Sequence, residues 1–379
     1  MSAVKRSPPL ATGELDSKIA KLEQSDKSMR RRQFAILMMY SGIGYYGMQR
    51  QPENTQSTHP AIENELLDAL LKANLITEEN KQFPGQVRFQ RASKTDRSVS
   101  ALGQVVSGRF NEEVENPTKV LNQHLPEKIR IVEFMRVTRG FNAKNICSHR
   151  VYQYIMPSFA LAQKDELLNE STALQYRIQS DTLNKFRANL QNFKGTHNFF
   201  NFTSGRDAAS KSCIRYMMDL NCSDPRLYDC SFEYLIVDIV GQSFMLHQIR
   251  KMIALAIALT RGNCDDSVWD RCFTTTRIDI PRAPGLGLLL DKVMFDHYNK
   301  RYGSDGIHQT IDWDRYKDTI EPFKQKFVFD HIMQEELSTK SMLTWISSLQ
   351  LHTFSVREQG ANVRSDSEDS LSDDANTVA

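Results

Sequence analysis

The apolar positions of the chain follow two periods, one near two residues and one near 3.6. Residues 34–40 form a strand-like apolar run closed by Ser41-Gly42. Pro60 then opens a helix on which Ile62, Leu66, Leu70 and Ala73 recur at helical spacing, with Thr58 as its cap. Residues 105–110 and 129–137 read as further strands, and 151–156 alternates again. Residues 161–180 are weakly patterned and polar, which places a division between two halves there. Asp181 caps a helix carrying Leu183, Phe186, Leu190 and Phe193 on one face and ended by Gly195. Residues 231–240 alternate as a strand. Ser243 caps the next helix, which runs to about Thr260 before Gly262 with Leu246, Ile249, Ile253 and Ile257 facing inward. Residues 286–295 read as another strand and 311–350 as helical.

This irregular succession predicts an α+β sheet protein rather than a doubly wound parallel one. The expected organisation is a disordered basic leader over residues 1–33, halves at 34–165 and 166–300, appended helices at 301–355 and a disordered acidic tail at 356–379. The leader ends just after Arg30-Arg31-Arg32, a triplet open to three readings: a nuclear address, a phosphate-seeking arm or a solvated run.

Composition narrows the class. With 379 residues, 40% apolar and 25% charged, the chain has ordinary globular composition and enough apolar surface for a sizeable core. No stretch approaches the ~18 apolar residues that a membrane span needs. The net charge of +2 hides an asymmetry, because residues 356–379 hold two arginines and six acids. The remaining body has 46 basic and 40 acidic side chains, which permits an anionic partner without demanding one. The six cysteines form no CxxC pair, and no histidines stand at finger spacing, so no metal site is expected and free thiols are. Neither a GxGxxG nor a GxxxxGK[ST] loop is present, which removes most support for nucleotide-dependent chemistry.

Two segments embed polar residues in apolar surroundings. In the first, residues 91–104, the single carboxylate Asp96 is flanked by Arg91, Lys94 and Arg97. Such neighbours hold a carboxylate ionised, which suits a nucleophile or base, and they also attract phosphate. A solvated turn is the other reading of this loop. In the second, residues 241–251, Arg250 follows Ile249 on a strongly apolar helix and so needs a carboxylate partner. A structural ion pair or a snorkelling side chain remains open there.

The ordered set of motifs resembles the tRNA pseudouridine synthase A family, and most closely its eukaryotic pseudouridylate synthase 1 branch. The resemblance runs over residues 34–298. It is carried by Tyr40-Ser41-Gly42 with Tyr46-Gly47-Met48-Gln49-Arg50, Lys94-Thr95-Asp96 with Val99-Ser100-Ala101, and His124-Leu125-Pro126. Phe141-Asn142-Ala143-Lys144, Arg150-Val151-Tyr152-Gln153-Tyr154 and Gly195-Thr196-His197-Asn198-Phe199 follow, then residues 241–251 and Ala283-Pro284-Gly285-Leu286-Gly287-Leu288.

The resemblance implies a pseudouridine synthase fold: two similar α/β halves forming one mostly antiparallel central sheet, flanked by helices, with a central cleft. It implies isomerisation of uridines in tRNA, with messenger or small nuclear RNA as further candidates, by a reaction that needs no cofactor. Asp96 takes the place of the catalytic aspartate, Tyr152 that of the tyrosine facing the base, and Arg250 that of the basic partner. Leu288 closes the uracil pocket, and Lys94 helps displace the target nucleotide. Arg97 and Arg50 are candidate RNA contacts, as are Lys211 and Arg215, while His197 and His247 are expected to pack or hydrogen-bond. An ionised carboxylate can add to the anomeric carbon or remove the 2′ proton, and both routes stay open here.

Three positions depart from the family pattern. Lys94 replaces an arginine, Ser98 a glycine and Tyr46 a frequent histidine. Serine at position 98 would be strained if the backbone there needs positive φ. The rival to an active isomerase is a catalytically weak or inactive paralogue acting as an RNA-binding or folding factor. An unrelated carboxylate hydrolase would need a second acid beside Asp96, and no partner stands out. No obligate protein partner and no membrane association are inferred. The expected location is the nucleus, with the mitochondrion second.

Overall fold

The strands are β1 (Arg31–Tyr40), β2 (Gln90–Arg91), β3 (Ser100–Asn111), β4 (Ile129–Arg136) and β5 (His149–Pro157), then β6 (Gly195–Asn198), β7 (Ile214–Cys222), β8 (Arg226–Tyr228), β9 (Phe232–Gly241) and β10 (Leu288–Met294). They come from a computed structural model that describes residues 29–356 apart from 52–54, 56–57, 167 and 230–231. The expected leader, except its last five residues, and the expected tail, except Val356, lie outside the described residues.

One ten-stranded sheet runs in the order β4-β1-β3-β10-β5-β9-β7-β6, with β2 added to β3 and β8 to β9. Every pairing is antiparallel except β3 with β10, which is parallel and registers only Leu289 with Ser100 and Leu290 with Ala101. The strand latest in the chain therefore sits at the centre of the sheet. It joins β1–β4 on one side to β5, β9, β7 and β6 on the other. The division of the sheet thus falls one strand earlier than residue 165, because β5 pairs with β10 and β9 rather than with the first strands.

The sheet begins earlier than residue 34. Arg31 and Arg32 register with Asn111 and Phe110, Arg30 and Arg32 both pair with Glu112, and Arg31 donates to Asn80 at 2.9 Å. The arginine triplet is consumed by the fold.

Five helices matter for the site or the core: α1 (Ile62–Lys72), α2 (Ser180–Gln191), α3 (Gln248–Arg261), α4 (Lys317–Lys324) and α5 (Asp330–Thr339). α1 and α2 bury the apolar positions read from the sequence, but neither has the expected cap. Thr58 bonds within its own turn to Thr55 and His59, and Asp181 lies inside the first turn of α2. α3 is buried on all sides from Ile249 to Arg261 except at Arg250, as expected of a helix that is apolar all round. It starts four residues later than a Ser243 cap requires. The Gln248 side chain instead accepts the Met245 N–H at 2.9 Å, and Leu246 is 51% exposed rather than inward. Gly262 ends the helix in the left-handed region, as its position predicts.

The helical segment after residue 301 is a brace rather than an appendage. Trp313 donates to the Val293 carbonyl at 2.8 Å, Tyr316 to Glu133 at 3.4 Å and Lys324 to Gln153 at 3.3 Å. Phe329 packs on Tyr234 with ring centres 5.2 Å apart. These contacts reach β10, β4, β5 and β9, so one segment holds both sides of the sheet.

Candidate active site

The loop between β2 and β3 alternates between anchored and presented residues. Ser93, Thr95 and Val99 are buried, whereas Lys94, Asp96 and Ser98 are exposed. The anchors are specific. Both the N–H and the C=O of Ser93 are held by the buried side chain of Gln104, and the Thr95 hydroxyl lies 2.8 Å from that of Tyr40. The Thr95 carbonyl accepts the Met48 N–H at 3.2 Å. Gly47 makes that approach feasible: its φ is +87°, and a Cβ there would fall 2.4 Å from the Thr95 oxygen. A solvated turn needs no such scaffold. Ser98 does adopt φ +60°, the left-handed conformation that the family's glycine would occupy without strain.

Asp96 is exposed as a residue, but the surrounding protein crowds its carboxyl group and withholds part of its hydration. This loss of water raises its pKa above the ordinary value, against the downward pull of Arg250, Arg282 and Lys94 in that order. The expectation of a depressed value is therefore corrected: desolvation outweighs three cations. Arg250 reaches the site from the first turn of α3, half-buried, with its Nε donating to the Ala283 carbonyl at 2.6 Å. The Ala283 N–H returns a bond to the Arg250 carbonyl at 3.2 Å.

Tyr152 lies on β5 beside this pair, registered with Ile239 of β9 and Leu290 of β10. Its hydroxyl is 2.9 Å from Ser93 Oγ, and burial pushes the phenol up to about 12. The ring is only 6% exposed, with Phe244 edge-on at 5.1 Å, so its face is less open than a stacking role suggests. Leu288 opposes Tyr154 on β10, on the same face of the sheet as Tyr152.

The remaining candidates separate. Arg97 lies over the Tyr46 ring at 4.4 Å, a cation–π contact beside the loop. Arg50 is anchored in the fold: its guanidinium donates to the Lys81 carbonyl at 2.9 Å and its N–H to buried Glu63 at 2.8 Å. Arg215 donates to its neighbour's carbonyl, that of Ile214, and Lys211 is exposed on the preceding turn. His197 stacks on Phe273 at 4.1 Å and bonds the Lys194 carbonyl, and His247 bonds Arg282 at 3.0 Å. Among the described residues, no three His, Cys, Asp or Glu side chains converge as metal ligands.

Two arginines were not legible as site residues. Arg282 is the second cation acting on Asp96, and the only sequence signal is a charged residue between Pro281 and Pro284 in an apolar stretch. Arg150 donates to the Ala92 carbonyl at 2.7 Å and to the Gln242 carbonyl at 2.6 Å. It thereby fastens the start of the aspartate loop to the segment leading into α3.

Comparison with known proteins decides what this arrangement belongs to. Residues 190–296 match the tRNA pseudouridine synthase family. The mouse (Mus musculus) pseudouridylate synthase 1 homolog is 39% identical over 339 residues, covering 89% of this chain and 78% of its own. The chain belongs to the tRNA pseudouridine synthase family. The human (Homo sapiens) pseudouridylate synthase 1 homolog is 40% identical over 85% of this chain and 74% of its own. The tRNA pseudouridine synthase 1 of Saccharomyces cerevisiae is 30% identical over 76% of this chain and 66% of its own. The mixed sheet with flanking helices is the fold expected of this family.

Proposed function

We propose that the protein converts uridine in tRNA to pseudouridine, with Asp96 as the reacting carboxylate, Arg250 as its partner and Tyr152 as the phenol beside the base. The observation that carries this reading is the anchored loop that presents Asp96, alone among its neighbours an acid, to an arginine from a different half of the chain. The reaction breaks the bond between C1′ and N1, turns the uracil and joins C1′ to C5. The C5 hydrogen leaves as a proton and N1 gains one, so the isomerisation balances without an electron or group from outside.

One ionised carboxylate serves either route, addition to C1′ or removal of the 2′ proton. Arg250 opposes the loss of charge as a nucleoside displaces the remaining water. Tyr152 keeps its proton throughout the neutral range and shares a hydrogen bond with the Ser93 hydroxyl, an arrangement suited to passing a proton rather than holding a charge. Leu288 offers an apolar wall on the same face. A target base inside folded RNA must leave its stack at a cost of a few kcal/mol. Lys94, exposed two residues from Asp96, is placed to fill the vacancy or meet a phosphate.

The proposal extends to messenger or small nuclear RNA, because chemistry on one extruded uridine makes no demand on the rest of the molecule. It extends also to action in the nucleus first and the mitochondrion second. The test uses unmodified tRNA carrying tritium at uridine C5, since that atom is released only when C5 forms its new bond. Release into water by the purified chain, with pseudouridine at a defined site, is the expected result. Tight RNA binding without release would replace the reading with that of an RNA-binding or folding factor.

A further inference from the structure

Arginine has only donors, so the 3.0 Å contact from Arg282 Nη1 requires an unprotonated Nε2 on His247, whose ring proton is then on Nδ1. His247 is held for this role by an unusual backbone. It precedes α3 at φ +63°, a left-handed conformation that is strained for a non-glycine residue and that clusters at functional sites. Three residues later on the same turn stands Arg250, and the residue after Arg282 is Ala283, whose carbonyl and N–H both bond Arg250. The segment 282–283 and the start of α3 are thus laced by three bonds, two made by Ala283 and one by Arg282. Both guanidiniums act on the same carboxylate.

We propose that Arg282, oriented by His247, is a positioning residue for Asp96: a second guanidinium whose charge favours the ionised carboxylate while Arg250 is tethered to Ala283. This rests on the pseudouridine synthase reading above and adds to it a residue pair that the motifs do not assign. The charged and titratable groups around Asp96 are Arg250, Arg282, Lys94 and the Tyr152 phenol. With Arg282 neutralised, Arg250 and Lys94 alone oppose desolvation. The acid limb of the rate then moves to higher pH.

The experiment is the pH profile of kcat and KM for tritium release, measured for the intact chain and for Arg282→Gln, Arg282→Lys, His247→Ala and His247→Gln. R282Q is expected to move the acid limb up by about one pH unit, so that kcat falls about tenfold at pH values below both limbs and little above them, with KM for tRNA within twofold. R282K keeps the charge and should recover most of the limb but not the full rate, because the planar fork is lost. H247A should shift the limb in the same direction by less, and H247Q, which retains an acceptor, should restore it. A raised KM with an unmoved limb would make Arg282 a contact to RNA phosphate and overturn the inference, as would unchanged kcat and pH dependence. If R282Q fails to melt cooperatively, H247A compared with H247Q carries the same test. No release by the unaltered chain at any pH would remove the functional reading itself, a result distinguishable from silent variants of an active enzyme.

Discussion

Replacing Arg150 with methionine should loosen the junction between the two sides of the sheet and slow the reaction without weakening RNA capture. The junction is thin in backbone terms, since β10 meets β3 through only two registered residue pairs. Arg150 adds a side-chain fastening nearby, from β5 to the Ala92 carbonyl at 2.7 Å and the Gln242 carbonyl at 2.6 Å. Hydrogen bonds made by a charged donor contribute about 1.5–3 kcal/mol when shielded and less when wet. The Ala92 bond is part-buried and the Gln242 bond exposed, so their joint loss should cost about 2 kcal/mol of unfolding free energy. Methionine keeps most of the stem's packing, which isolates the lost bonds. Because Ala92 leads into the aspartate loop and Gln242 into α3, Asp96 and Arg250 would also lose part of their mutual registration. A displacement of ~1 Å at a reacting group can lower the rate by about 10²-fold, so a fall in kcat of at least tenfold is expected. Urea unfolding and single-turnover tritium release read the two effects separately. Stability reduced by about 2 kcal/mol with kcat unchanged would show that the clasp only supports the fold, and no loss of stability would refute the energetic estimate.

Four further outcomes follow from the same geometry. Because loss of hydration raises the Asp96 pKa and the reaction needs the anion, kcat should fall as pH drops through a point above the ordinary carboxylate range. The same burial penalises the folded state wherever Asp96 is charged and is relieved as pH falls, so Asp96→Asn should melt no lower than the parent at pH 8. Glu63 is buried and accepts from Arg91 and from the Arg50 N–H; Glu63→Ala should cost about 1.5–3 kcal/mol in urea unfolding, because the charge-assisted bonds to a half-buried arginine and a backbone N–H are lost. Lys94→Arg restores a planar, multidentate group and should raise turnover on folded tRNA more than on an unstructured fragment, a difference that paired kinetic runs would expose.

What the sequence makes legible here is local. The apolar run of β1, the alternation in β5 and β9 and the apolar faces of α1 and α2 follow from the residue pattern, and each lies close to where that pattern puts it. The place of β10 between β3 and β5 is not periodic information, since its apolar run suits any buried strand. The caps failed for a related reason: Ser243 and Thr58 are good capping residues, but Phe244 packs on Tyr152 and Gln248 closes the turn, so tertiary contacts set the start of α3. Asp96 stands out as a lone acid among cations, yet those neighbours alone suggest the wrong direction of its pKa. Water withheld by walls built from distant residues is invisible in a linear string. Arg150 acts through backbone carbonyls and Arg282 through a histidine far away in the chain; Arg150 opens one of the motifs, but nothing local marks the role of either. Ser98 is the opposite case, a departure noticed in sequence whose positive φ the backbone displays.

The most direct test of the central claim compares Asp96→Ala with the intact chain for tRNA retention and for tritium release from uridine C5 in the same preparation. Retention within about threefold together with loss of release to background would place the chemistry on that carboxylate, the figure allowing for one lost charge near phosphate. Release within a factor of two of the intact chain would contradict the account outright.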